Sequence, residues 1–92
     1  AQGCKTENVF LTQRDLVNRL TWSASGPSLP VSYSIYRDAA LTELVAIVPA
    51  TGPLQFFDHN RVPNVVYTYY LVGTNAVGTT SMPVAVTVTQ NC

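Results

Sequence analysis

Neither sign of charge is in excess in this chain: five Lys and Arg balance five Asp and Glu, and only 11% of its 92 residues are charged. A neutral surface offers no basic track for phosphates, so nucleic acid is not expected as a partner. Long apolar runs are missing too. None approaches the ~20 residues that span a bilayer, and no cationic amphipathic helix could lie on one, so no membrane insertion is expected. Histidine occurs once and cysteine twice. One histidine and the scattered acids Glu7, Asp15, Asp38, Glu43 and Asp58 give no nucleophile–base–orienter set, and no Gly-x-Ser-x-Gly elbow is present. The chain is therefore expected to be no enzyme, with no cofactor and no metal. No Asn-x-Ser/Thr glycan acceptor occurs either.

What is present is an apolar fraction of 47%, enough for one core in one domain. The chain begins and ends abruptly, as one module of a larger protein would, with neighbouring domains of the same chain as natural partners. Helical periodicity is nearly absent and period-two alternation is common. It is clearest in Tyr67 to Gly73, where Tyr67, Tyr69, Leu71 and Gly73 share one face and Thr68, Tyr70 and Val72 the other. Similar runs are Val17 to Ser23, Val31 to Arg37, Leu54 to Asp58 and Pro83 to Thr89, with a first strand somewhere in Thr6 to Thr12. Asp38 to Val48 holds helix formers, but Val45, Ile47, Val48 and the closing Pro49 make its second half a strand. Asn60 to Val65, with Pro63, reads as a turn. Seven short strands punctuated by Gly, Pro and Asn predict an all-β, seven-stranded immunoglobulin-like β-sandwich.

The order of these signals resembles a fibronectin type III domain, over about Leu16 to Thr89. The residues that carry it are Leu20-Thr21-Trp22, Tyr33-Ser34-Ile35-Tyr36-Arg37, Phe57-Asp58, Tyr67-Thr68-Tyr69-Tyr70-Leu71, Asn75, Gly78 and Ser81. An Asp ending the fifth strand is most similar to bacterial members. The resemblance implies scaffold roles. Trp22 would fill the centre of the core against Tyr33, Ile35 and Leu71. Tyr67 would be the tyrosine corner, its hydroxyl reaching a backbone group between Asn60 and Asn64. Gly73 would let the sheets approach closely, and Asn75 with Gly78 would shape the loop between the last two strands. Where the family has an aliphatic residue this chain has Asn18, and a bulge there would re-aim Val17 inward. The first fifteen residues are longer and more polar than the family's usual first strand. The loop Asn75 to Thr80 lacks the Arg-Gly-Asp tripeptide by which some members bind integrins.

Three features stand out as candidate sites. Cys4 and Cys92 lie almost at the two ends. A bond between them requires Cα atoms within about 7 Å, yet seven strands start and finish at opposite poles. An intramolecular bond then needs Ala1 to Lys5 to double back across an edge; intermolecular bonding, bonding between repeats, and free thiols are the alternatives. His59, in Asp58-His59-Asn60, is read as a solvated side chain in a turn shaped by its two neighbours. Tyr36, Tyr70 and Val72 are expected to point outward from adjacent third and sixth strands. An exposed aromatic face is a natural anchor for a protein or sugar, although cross-strand aromatic pairs also simply stabilise sheets.

These expectations describe a non-catalytic, secreted or envelope-exposed module for protein binding or adhesion. A passive spacer beside catalytic or binding domains, and a carbohydrate-binding module, are the rivals.

Overall fold

The computed structural model describes residues 1–10, 13–23, 30–59, 61–62 and 64–92. Alternating residues form seven strands: β1 (Gln2–Phe10), β2 (Gln13–Thr21), β3 (Ser32–Tyr36), β4 (Leu44–Pro49), β5 (Gln55–Asp58), β6 (Tyr67–Thr74) and β7 (Val84–Val88). All paired strands are antiparallel, in a three-stranded sheet ordered β1-β2-β5 and a four-stranded sheet ordered β4-β3-β6-β7. The two sheets face each other as a β-sandwich. No helix occurs among the described residues.

The alternation decides which residues lie between the layers. Leu20, Tyr33, Ile35, Tyr69, Leu71, Val86 and Val88 form the core cluster, with Ile35, Tyr69 and Val88 fully enclosed. Val45, Ala46, Val48, Leu54 and Phe56 pack around them. A register shift between Ile35 and Tyr36 puts Tyr36 opposite Leu44 and lets Val45 join the core periphery.

Several expectations need correction. Trp22 does not sit at the core's centre. It follows β2 and is only half-buried, edge-on to Tyr33 with ring centroids 5.5 Å apart. The central volume belongs to Tyr69, Leu20 and Ile35. Gly73 gives close approach to Pro30 rather than to the opposite sheet: a Cβ there would lie 2.9 Å from Pro30 Cγ. The glycine where the sheets crowd is Gly3, whose Cβ would meet Val88 Cγ2 at 2.7 Å. No bulge occurs at Asn18. The β1–β2 register runs unbroken from Gln2↔Thr21 to Phe10↔Gln13, and Asn18 itself faces inward and is buried. Val17 stays on the outer face and is buried there, beside Thr6, Phe57, His59 and Cys92.

β1 also starts at Gln2, ahead of the expected Thr6, and this resolves the cysteine question. Cys4 and Cys92 are bonded within the chain, with Cα atoms 4.9 Å apart. The expectation had the seven strands start and finish at opposite poles. Instead β1 begins where β7 finishes, as the Gly3–Val88 contact shows. The tail after β7 then continues parallel to β1: the Lys5 N–H donates to the Gln90 carbonyl and the Cys92 N–H to the Lys5 carbonyl, both at 2.7 Å. Nothing doubles back. With β1 thus displaced, it and its partner β2 form a nine-by-nine-residue hairpin, and the molecule measures 47 × 26 × 19 Å.

Candidate functional site

Antiparallel partners point to the same face of a sheet, so the pairings of β3, β4, β6 and β7 map the outer surface of the four-stranded layer. Leu44, Tyr36, Tyr70 and Ala85 form one row across it. Ile47, Ser34 and Val72 form the next. Thr68 and Thr87 form a third, their hydroxyls 3.1 Å apart. The face is therefore apolar and aromatic toward β4 and polar toward one end of β7.

Exposure grades across that face. Ile47 is 62% and Leu44 47% exposed, Tyr36 and Tyr70 are half-buried, and Val72 is 5% exposed. The expectation that Val72 meets solvent is corrected here. It does point outward, but it lies on a central strand one row from two tyrosines, and aromatic side chains reach across such diagonals. Val72 is thus a buried position of this face rather than an exposed anchor. The sequence reading missed Leu44 and Ile47, the two most accessible apolar groups of the face. The alternation of β4 held the signal, obscured by the bulge that changes its phase at Tyr36.

Beneath this face, a polar cluster ties the layers together. Asp58, in β5, is buried. Its carboxylate accepts Arg37 Nη2–H at 2.7 Å and Nε–H at 3.4 Å, the Tyr69 hydroxyl, and an ion-pair contact from Arg61 Nε at 3.5 Å. The Tyr69 hydroxyl in turn accepts Asn18 Nδ2–H at 2.9 Å. Burial, then the hydrogen bond to Asp58, pushes the Tyr69 phenol far above its ordinary value. Its own hydrogen bonds to Asp58 raise the Arg37 guanidinium. Asp58 was expected to shape a local turn and instead spends its oxygens on Arg37 and Tyr69 from the opposite layer and on nearby Arg61. It is saturated by donors, and the phenol beside it is held protonated. The cluster clamps the two layers together.

The remaining singled-out residues are scaffold. The Tyr67 hydroxyl accepts the Val62 N–H at 3.0 Å, and Arg61 lies over its ring, 5.4 Å from the centroid. Asn75 Oδ1 accepts the N–H groups of Val77 at 3.2 Å and Thr79 at 2.9 Å, while Gly78 takes φ +89°, which a side chain rarely allows. His59 is largely exposed and is not merely solvated: its Nδ1 lies 2.8 Å from Asp15 Oδ2. Asn60 and Pro63, named in the turn reading, lie outside the described residues.

Comparison of the chain with models of protein families, with characterised proteins and with solved structures finds no match.

Proposed function

We propose that this chain is a fibronectin type III-like β-sandwich that serves as a non-catalytic recognition module for a protein partner. The reading places it in a secreted or envelope-exposed protein, alongside further domains. The three-plus-four division of the strands, with β5 beside β2 and β6 beside β3, agrees with that family's arrangement, as does the Tyr67 hydroxyl on an upstream backbone N–H. The Cys4–Cys92 disulfide is of the kind that persists in oxidising compartments.

The observation that carries the functional reading is the cross-strand pair Tyr36–Tyr70 flanked by exposed Leu44 and Ile47. Burying one such side chain contributes about 1.5–3 kcal/mol, and tyrosine anchors cost little rotamer entropy when fixed. Four strands of five residues present about 300 Å² by strand spacing and rise, under half of the ~800 Å² per partner of a standard interface. Contact through this face alone is thus expected to be weak and transient. A sugar platform is less well supported, because the half-buried rings offer little flat surface and the most exposed flanking side chains, Leu44 and Ile47, offer no hydrogen bonds. The spacer reading draws on that same half-burial, since the pair would stabilise the sheet unaided.

A Tyr36→Ser, Tyr70→Ser double variant separates these readings. Immobilised parent and variant are exposed to secreted proteins of the source cell and to a glycan panel. The recognition reading expects proteins held by the parent and lost from the variant, with no glycan hits. Identical retention by both proteins, with only stability altered, would leave the spacer reading standing.

A further inference from the structure

We infer that the pole of the sandwich around Trp22 and Tyr33 is a binding site for a small, neutral, largely apolar molecule carrying a carbonyl oxygen. This inference does not depend on the outer-face reading and concerns the opposite side of the β6 backbone.

Two donors there bond nothing among the described residues. The Trp22 indole N–H and the Tyr33 hydroxyl are buried atoms with no hydrogen-bond partner among the described residues, and Tyr33 as a whole is only 5% exposed. Buried polar groups are almost always paired, so two orphans on neighbouring rings need an explanation. The rings meet edge to face, 5.5 Å apart at an interplanar angle of 62°. Both line a cavity of about 240 Å³, together with Pro30, Leu71, Met82 and Val84. One water needs only ~10–15 Å³ on such a measure, so the space exceeds what hydrating two donors requires.

Local chemistry keeps this space open. Tyr33 is paired across the strands with Gly73, which contributes no side chain, and the added Cβ would run into Pro30. Ser81, which also lines the cavity, is already occupied: its Oγ accepts the Gly73 N–H at 2.9 Å and donates to the Met82 carbonyl at 3.3 Å. Indole N–H is a donor only, and the phenol can donate beside it. A ligand must therefore bring an acceptor. No charged side chain among the described residues lines the cavity, and the exposed terminal ammonium of Ala1 is the one positive group that reaches it, so the two neutral donors suit a neutral carbonyl better than a carboxylate that must be stripped of water. The walls take an apolar body, and Met82 and Val84, both exposed, stand at the mouth.

The chain has one tryptophan, so its indole N–H gives a single reporter in a nitrogen-15 correlation spectrum. Acetophenone is the probe and ethylbenzene its counterpart without the carbonyl, both titrated into the oxidised full chain. The site predicts a saturable downfield movement of the indole proton with acetophenone, and roughly five-fold weaker binding of ethylbenzene, as loss of a hydrogen bond implies. Tyr33→Phe should weaken acetophenone by roughly three-fold without lowering the melting temperature, because the hydroxyl it removes has no partner among the described residues. An indole signal that does not respond, or responds equally to both probes, overturns the proposal. So does a Tyr33→Phe variant that folds and binds acetophenone like the parent.

Discussion

Arg37 and Asp58 belong to different sheets and meet between them, with Nη2 2.7 Å from Oδ1. Arg37 leaves the end of β3 and Asp58 ends β5, and Tyr69 from β6 closes the same carboxylate. Breaking one side of such a pair leaves a charge without its partner, which usually costs about 3–5 kcal/mol when both are buried. The Arg37 side chain is 28% exposed, and water would soften the loss. Asp58→Ala is accordingly expected to destabilise by about 2–4 kcal/mol in urea unfolding, and Arg37→Met by less. Combined in one chain the two should cost less than their sum, because the second removes a charge that the first has stranded.

The raised Tyr69 phenol makes stability depend on alkaline pH. An unfolded tyrosine releases its proton near pH 10, whereas folded Tyr69 keeps it well beyond. In that interval the unfolded state binds fewer protons, so stability falls as pH rises above about 10. Below pH 10 both states hold the proton and this residue adds no pH dependence. Unfolding free energy measured from pH 8 to 11.5 should fall in the upper part of that range, and less steeply in Tyr69→Phe. That variant should also start about 1–3 kcal/mol less stable at neutral pH, since Asn18 and Asp58 each lose a partner.

Cys4 and Cys92 are 88 positions apart, so their bond closes nearly the whole chain. The loop-entropy account credits that closure with about 4–5 kcal/mol. Reduction followed by alkylation should lower the unfolding midpoint accordingly. It should also free the tail, seen as faster amide exchange at Lys5 and Cys92, whose N–H groups bond across the tail and β1. Unchanged exchange at both amides would mean that the tail holds its place without the bond.

Gly3 is a packing position rather than a turn. An added Cβ would lie 2.7 Å from Val88 Cγ2 and 3.1 Å from both Leu20 Cδ2 and Val86 Cγ1. The valine methyls are short and branched with little room to swing. Gly3→Ala is expected to cost about 1–3 kcal/mol, as overpacking does, while Gly52→Ala, with nothing within 4 Å, should leave the melting temperature nearly unchanged.

Period two is easy to see where each face has a uniform environment. Tyr67 to Gly73 and Val84 to Val88 therefore showed their strands and their inward residues plainly, and Ile35 and Tyr33 followed. Alternation gives the face of a residue but not its depth. Trp22 and Val72 were misplaced for that reason: one lies half-buried at the rim of the core, the other is buried on the outer face. Asp58 and Asn18 were visible as polar residues on inward positions, yet their partners come from strands 11 to 51 residues away in sequence. No local pattern encodes such a meeting. The cysteine pairing depended on the offset between β1 and β7, which is a property of the packed sheets. Of the candidate face, Tyr36 and Tyr70 were legible, while Leu44 and Ile47 were hidden by the change of phase at the bulge.

The account rests on the outer face of the four-stranded sheet being a contact surface, and photo-crosslinking from that face tests it most directly. A benzoylphenylalanine placed at Ile47 in the intact parent protein samples the most exposed apolar position of the face; one at Thr51, on an exposed turn, is the control. The account predicts a discrete protein adduct from position 47 that disappears with Tyr36→Ser and Tyr70→Ser and is absent from position 51. No adduct at 47, or the same adducts from both positions, would contradict it.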